Sequence, residues 1–197
     1  MTPLPFVWPY WPFFWGGFLW AFAPEFGIVR RAQKPAATAG SPDAGSFRVI
    51  VYGMGLASFA AFPLAWVTAL RFPAAWQPIV FVLGVVTLLG GSLLRRHCWR
   101  LLGASFTGDV RAQSGQAIVR TGAYALLRHP AYTAGTLMNL GLGLALGSWG
   151  SAALLTLVTV AVYSYRIAVE ERALLAVLGE PYREFMRTRR RLIPFIY

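Results

Sequence analysis

"AYTAGTLMNLGLGLALGSWGSAALLTLVTVAVYSY", Ala131 to Tyr165, runs 35 positions without a charged residue. As one helix it would extend about 52 Å, well beyond the roughly 30 Å hydrocarbon core of a bilayer. Midway, "GSWGS" (Gly147 to Ser151) supplies the small and polar residues that let a chain turn. The run therefore reads as two membrane spans, 131–147 and 149–165, joined by a tight hairpin. That reading decides the fold class, and it places the two ends of the run beside one another at a single membrane surface.

Composition agrees. Apolar residues make up 57% of the 197 and charged residues 13%, about half the charged share of a soluble domain. Mean hydropathy is +0.54. Three further stretches are long and apolar enough to cross a bilayer: 6–24, which Pro9 and Pro12 are expected to bend; 47–70, with Arg48 snorkelling at its end; and 76–94, stopped by Arg95-Arg96. The sequence thus predicts an all-α, polytopic integral membrane protein with about five transmembrane helices. No positive region precedes the first apolar segment, since the first basic residue is Arg30, so that segment is expected to be retained. The lone Cys98 excludes an intramolecular disulfide or a cysteine-only metal site and reads as a free thiol.

The net charge of +11 has the size of a nucleic-acid-binding signal, but its placement says otherwise. With five spans, 17 of the 18 basic residues fall on one side and Arg71 alone on the other. The positive-inside rule then puts the amino terminus outside and the carboxy terminus in the cytoplasm. The excess is a topology signal with some attraction to anionic membrane lipids, and no nucleic acid partner is expected. Gly53-Met54-Gly55 and Gly141-Leu142-Gly143 look faintly like nucleotide fingerprints, yet no strand precedes either. Glycines here, including Gly143 and Gly147, are expected to let helices approach closely.

Cytoplasmic polar material gathers in the loop 95–130 and the tail 166–197, which flank the hairpin. Pro130 suits the first position of a helix, His129 falls at its cap, and Arg128 lies beside it. A helix start with an adjacent guanidinium attracts a carboxylate. At the far end of the hairpin, Glu170 and Glu171 stand just past the fifth span, where a helix carboxy end disfavours acids. Either can pair with Arg166 or Arg172, and together they suit a cationic ligand group. One pocket, built by the last two helices and the tail, would then hold a zwitterion. S-adenosyl-L-methionine fits, with Tyr124, Tyr132 and Tyr182 available to face its sulfonium or stack on its adenine; each of the three is equally an interfacial aromatic. In the tail, Gly179 is expected to end one short helix and Pro181 to begin another. The second presents Tyr182, Phe185 and Met186 to the interface, and "RLIPFIY" folds over the pocket as a lid.

The order "TGAYALLRHPAYTAG", then a hairpin, then "EERALLAVLGEPYREFMRTRRRLIPFIY" resembles the carboxy-terminal half of isoprenylcysteine carboxyl methyltransferases and the related phospholipid methyltransferases. The likeness covers 115–197, and residues 1–114, with three spans and a linker, carry no comparable motif. The resemblance implies a membrane-embedded, S-adenosyl-L-methionine-dependent methyltransferase. Gly122, Tyr124, His129, Pro130, Tyr132, Glu170, Glu171 and Tyr182 would surround the cofactor, with Arg128 and Glu171 as catalytic groups. A lipophilic or lipidated acceptor bearing a carboxylate, thiol or amine would enter from the bilayer. A carboxylate acceptor needs no base; for the others Glu171 or His129 would serve. No metal is implied. Gly135 follows Tyr132 by three residues, where relatives often place glycine at two. The competing readings are a sterol-reductase-like membrane oxidoreductase using NADPH and a non-enzymatic membrane scaffold.

Overall fold

The computed structural model describes residues 2–32, 45–103 and 118–192. The chain forms α1 (Tyr10–Ala32), α2 (Ser46–Leu64), α3 (Gln77–Leu102), α4 (Pro130–Ala145), α5 (Trp149–Leu178) and α6 (Glu180–Thr188). Short 3-10 turns lie at Leu4–Phe6, Thr68–Leu70, Ala74–Trp76 and Gly122–Ala125. Among the described residues, extended pairing is confined to two isolated bridges, Arg71 with Ser148 and Leu127 with Arg190.

Helix limits follow the local chemistry. Proline occupies the first or second position of α3, α4 and α6, where its missing N–H is not needed. Pro9 and Pro12 sit before and within the first turn of α1, so they start that helix rather than bend its middle; Pro24 is the proline in its interior. The second span is shorter than the sequence predicts, ending at Leu64 one residue after Pro63. Two helices are longer. α3 continues past Leu94, so Arg95, Arg96, His97 and Arg100 are helical rather than loop residues. α5 is one continuous helix of 30 residues to Leu178, because nothing between Tyr165 and Gly179 breaks it. Gly179 therefore ends a long helix rather than a short one. Glu170 and Glu171 lie two turns before that end, outside the unfavourable part of its dipole.

Between α4 and α5 the chain reverses at Gly147, whose φ of 71° is left-handed. The role expected for Gly147 in helix approach is thus replaced by a turn. Ser148 caps α5 by accepting from Ser151 N at 3.0 Å. Gln77 Nε2 donates to Gly147 O (3.0 Å) and Phe72 O (2.7 Å), tying this turn to the α2–α3 connection.

The bundle is zipped along α3 and α4. A Cβ at Gly84 or Gly141 would fall on the backbone of the facing helix, and one at Gly91 would lie 2.8 Å from Met138 N. Gly143 lets α5 approach Ala152 in the same way. α2 packs on α5 and α1 on α3. α1 and α2 meet through Phe14, Trp15 and Phe18 against Phe62, beside a core of Phe14, Ala57, Ala61, Leu142, Leu146 and Leu155.

Outward faces are apolar: Phe59 is 80% exposed, Leu56 70% and Leu157 69%. Such surface needs lipid as its solvent, and the chain is an integral membrane protein. Helices spanning Ser46–Leu64, Ala74–Leu102 and Trp149–Leu178 are long and apolar enough to cross a bilayer. α4, at 16 residues, covers about 24 Å; more than half of its residues are buried by protein, so lipid does not set its length. The expected boundary at residue 114 and residues 193–197 of the expected lid, 191–197, lie outside the described residues.

The zipper makes a prediction. Gly84→Val should destabilise the protein by at least about 2 kcal/mol through overpacking. Gly90→Ala, where a Cβ meets nothing within 4 Å, should be neutral or stabilising by up to about 1 kcal/mol. Thermal unfolding in detergent distinguishes them.

Candidate active site at the start of α4

The segment entering α4 is held by the tail. Arg128 N donates to Arg190 O at 2.7 Å and His129 N to Arg191 O at 3.1 Å. Thr133 Oγ1 donates to Leu192 O at 2.6 Å. His129 occupies the cap position, but its ring does not cap the helix. Instead Nε2 lies 3.1 Å from Glu171 Oε1.

Glu171 is the hub. Its Oε1 also meets Arg128 Nη1 at 3.0 Å, and Oε2 meets Arg191 Nη2 at 3.1 Å. With its side chain 4% exposed, this carboxylate requires paired cations around it. Both oxygens are taken by protein groups, so its partners are Arg128, His129 and Arg191 rather than Arg166 or Arg172. Arg172 Nε instead donates to Ala168 O at 3.0 Å.

Glu170 faces differently. Its Oε2 accepts from Tyr132 Oη at 2.8 Å, and it is half-buried. Arg166 Nε stands 3.4 Å from the same phenol and its Nη1 donates to Ser46 Oγ at 2.6 Å. Tyr132 packs between His129 and Tyr163, with ring centroids at 5.7 and 4.7 Å. Gly135 permits this: a Cβ there would lie 2.9 Å from Tyr163 Cε2.

Tyr124, in the turn Gly122–Ala125, and Tyr182, on α6, are both buried. Burial, then nearby Cys98 and Glu170, pushes the Tyr124 phenol well above its ordinary pKa. Burial, then Glu171 and Glu170, does the same for Tyr182. The inward face of α6, Tyr182 and Phe185, is thus filled by protein, with Arg120 over the Phe185 ring at 5.8 Å; it is not left for lipid. Gly122 has φ 57°, and a Cβ would approach His97 Nε2 to 3.0 Å.

An apolar cavity of about 430 Å³ adjoins this cluster, walled by α1, α2, α4 and α5 with Arg95 of α3. Phe18, Phe22, Phe26, Val51 and Met54 line most of it. Its polar lining is Glu25, Ser58, Arg95, Tyr132, Asn139, Tyr163 and Arg166. Arg95 pairs with Glu25 and donates from Nη1 to Ala131 O at 2.7 Å, linking α1, α3 and α4. Sequence reasoning missed these roles for Glu25, Arg95 and Arg191, treating the basic ones as topology signals. The available sign was Glu25, an acid beside an apolar segment with no local cation to meet it. Among the described residues no group of three or more His, Cys, Asp or Glu side chains is placed to hold a metal.

Fold and site define a helical integral membrane protein whose buried polar cluster opens onto an apolar cavity between helices. The phospholipid methyltransferase family model matches residues 79–180, which include every candidate residue except Tyr182. Protein-S-isoprenylcysteine O-methyltransferase of Schizosaccharomyces pombe is 30% identical over 136 residues, covering 66% of this chain and 58% of the relative. A probable protein-S-isoprenylcysteine O-methyltransferase of Oryza sativa subsp. japonica is 30% identical over 131 residues, covering 65% and 69%. A solved eukaryotic intramembrane Ras methyltransferase, isoprenylcysteine carboxyl methyltransferase, shares the fold with a TM-score of 0.71 at 23% identity, over 98% of this chain and 70% of that one. The chain belongs to the isoprenylcysteine carboxyl methyltransferase and phospholipid methyltransferase family. It spans 58% of the length of the S. pombe relative.

Two outcomes are expected. Glu171→Gln leaves two guanidinium groups, of Arg128 and Arg191, around a neutral amide and should cost roughly 3 kcal/mol. Glu180→Gln, which loses only the exposed pairs with Arg183 and Arg187, should stay within about 0.5 kcal/mol. Thermal unfolding checks both. Because the folded state raises the pKa of Tyr124 and Tyr182, their contribution is intact below the usual phenol value and lost above it. Stability should fall as pH climbs past about 10, and Tyr124→Phe with Tyr182→Phe should flatten that fall.

Proposed function

We propose that the chain is an S-adenosyl-L-methionine-dependent methyltransferase acting on a lipophilic acceptor, with its site at the cytoplasmic surface and its amino terminus outside. One observation carries the reading: Tyr132 belongs to both the polar cluster and the apolar cavity wall. A charged, water-soluble donor and a lipid-soluble acceptor need such a junction. The donor's carboxylate is assigned to the Ala131 amide at the α4 start and to Arg128. Its ammonium is assigned to Glu170, the member of the acidic pair that faces Tyr132. The sulfonium and adenine lie among Tyr132, Tyr124 and Tyr182.

Methyl transfer is an in-line displacement: the acceptor's lone pair forms a bond to the methyl carbon as the carbon–sulfur bond breaks, leaving a neutral thioether. Positive charge disperses as this proceeds, so alignment and exclusion of water are the protein's main contributions. The relatives' names concern isoprenylated cysteine, and a prenylated carboxylate is the first acceptor to try. It needs no general base. The comparisons give no support to the sterol-reductase-like or scaffold readings.

Calorimetry on detergent-solubilised protein tests this. S-adenosylhomocysteine should bind and a nicotinamide dinucleotide should not. Glu170→Gln should weaken that binding by on the order of 10- to 100-fold, the usual loss for a charge-assisted hydrogen bond. Absence of S-adenosylhomocysteine binding in the wild type would overturn the proposal.

A further inference from the structure

The cavity that Tyr132 borders has a blind end, and the wall formed by α2 shows where it lies. Phe47, Val51, Met54 and Ser58 line it at helical spacing, so they form one stripe on one face of α2. The stripe starts at the polar mouth: Ser46 Oγ, one residue before Phe47, accepts from Arg166 Nη1 at 2.6 Å, and Arg166 Nε stands 3.4 Å from Tyr132 Oη. It ends at the core. Ala61, the next residue on this face, is buried with Phe14 and Leu142, and Phe62 closes against Phe18 with ring centroids 6.3 Å apart. Helix α1 runs from the same core to the same mouth. Glu25 stands at the mouth, paired with Arg95, whose Nη1 donates to Ala131 O. Phe18 precedes Glu25 by seven residues and lies about 10 Å deeper. Ser58 and Phe18 therefore line the end farthest from Tyr132.

A closed end gives the cavity a length. Phe47 and Ser58 are eleven positions apart, about 16 Å of helix. An extended chain advances about 1.2 Å per bond by ordinary covalent geometry, so this depth takes roughly 13 bonds, or about three isoprene units of four bonds each. The side chains along the stripe shrink at its end. Serine follows phenylalanine, valine and methionine, and it keeps open a last turn that a larger residue would fill. We propose that Ser58 and Phe18 determine the tail length of the acceptor, three isoprene units being the tail that fills the cavity. The inference rests on the reading of this cavity as the acceptor site, and it narrows a lipophilic tail to one of defined length. Discrimination then works in both directions. A longer tail meets close-packed core that does not yield, and a shorter one leaves apolar wall uncovered, where even one methylene is felt.

The test measures kcat/KM for methyl transfer from S-adenosyl-L-methionine by the full chain in lipid nanodiscs. The probes are N-acetyl-L-cysteine carrying an S-geranyl, S-farnesyl or S-geranylgeranyl group, with two, three and four isoprene units. The farnesyl probe should be preferred over each of the others by at least about 10-fold. Ser58→Phe should move the preference to the geranyl probe, and Phe18→Ala should move it to the geranylgeranyl probe. Damage to the fold lowers all three rates together and cannot displace the preference in opposite directions. Leu56→Phe, on the lipid-facing side of the same helix at 70% exposed, should keep the order of the parent. A parent chain that does not prefer the farnesyl probe, a preference that stays put in both cavity variants, or one that moves equally in Leu56→Phe overturns the role of Ser58 and Phe18 while leaving the acceptor reading intact. Turnover of none of the probes overturns the acceptor reading, and this inference with it. The comparison of probes on the parent chain decides the matter even if neither cavity variant folds.

Discussion

The buried carboxylate of Glu171 is the constraint on which the site depends. Three segments meet at it: α5 supplies the acid, the lead-in to α4 supplies Arg128 and His129, and the tail supplies Arg191. None of these partners belongs to the same helix as the acid. In an environment this dry the acid cannot be ionised alone, and guanidinium groups so near cannot be left alone either. The electrostatic demand therefore fixes tertiary geometry. It brings the strap 190–192 alongside 127–129, where backbone hydrogen bonds hold it in register.

That clasp works because the helices beneath it are set by steric rather than electrostatic means. Gly84, Gly91 and Gly141 bring α3 and α4 into backbone contact, and the turn at Gly147 returns α5 alongside. Lipid exerts no hydrophobic drive between helices, so close packing and buried polar links must hold them. α1 is fastened along its length to α3 and α4, through Ala21 packed on Leu88 and Met138, Ser92 Oγ donating to Ala21 O and the Glu25–Arg95 pair, and it meets α2 through aromatics. Phe18, Phe22, Glu25 and Phe26 of α1 then form one wall of the cavity.

The sequence showed the hairpin because 35 uncharged residues with a glycine-rich centre have one comfortable arrangement in a bilayer. It also placed His129 near the acidic pair, since the two ends of a hairpin must be neighbours. Helix lengths were less legible. Charge was read as the end of a helix at Arg95 and at Arg166, yet α3 and α5 both run on through their charges. Charge marks where lipid ends; only proline, glycine or a competing cap marks where a helix ends. The division of labour between Glu170 and Glu171 was hidden for a different reason. Adjacent residues on a helix point about 100° apart, so one can face an arginine cluster and the other Tyr132. Which does which depends on Arg191, a residue twenty positions away that the sequence shows only as one of three consecutive arginines.

Two solvents meet at Tyr132. On one side is a cluster in which nearly every charge is matched; on the other is a wall of phenylalanine and methionine. A phenol suits this boundary because its ring is apolar and its hydroxyl reaches Glu170. Its pairing with Tyr163 requires the glycine at 135, which explains why glycine stands three residues after this tyrosine in this chain. On the proposed reading, a donor held by charge and an acceptor held by apolar contact would approach this ring from opposite directions. Neither binding mode would then have to be compromised for the other. A soluble enzyme must enclose a lipid to achieve this, whereas here the membrane does part of that work, and the protein need only keep one phenol at the boundary between them.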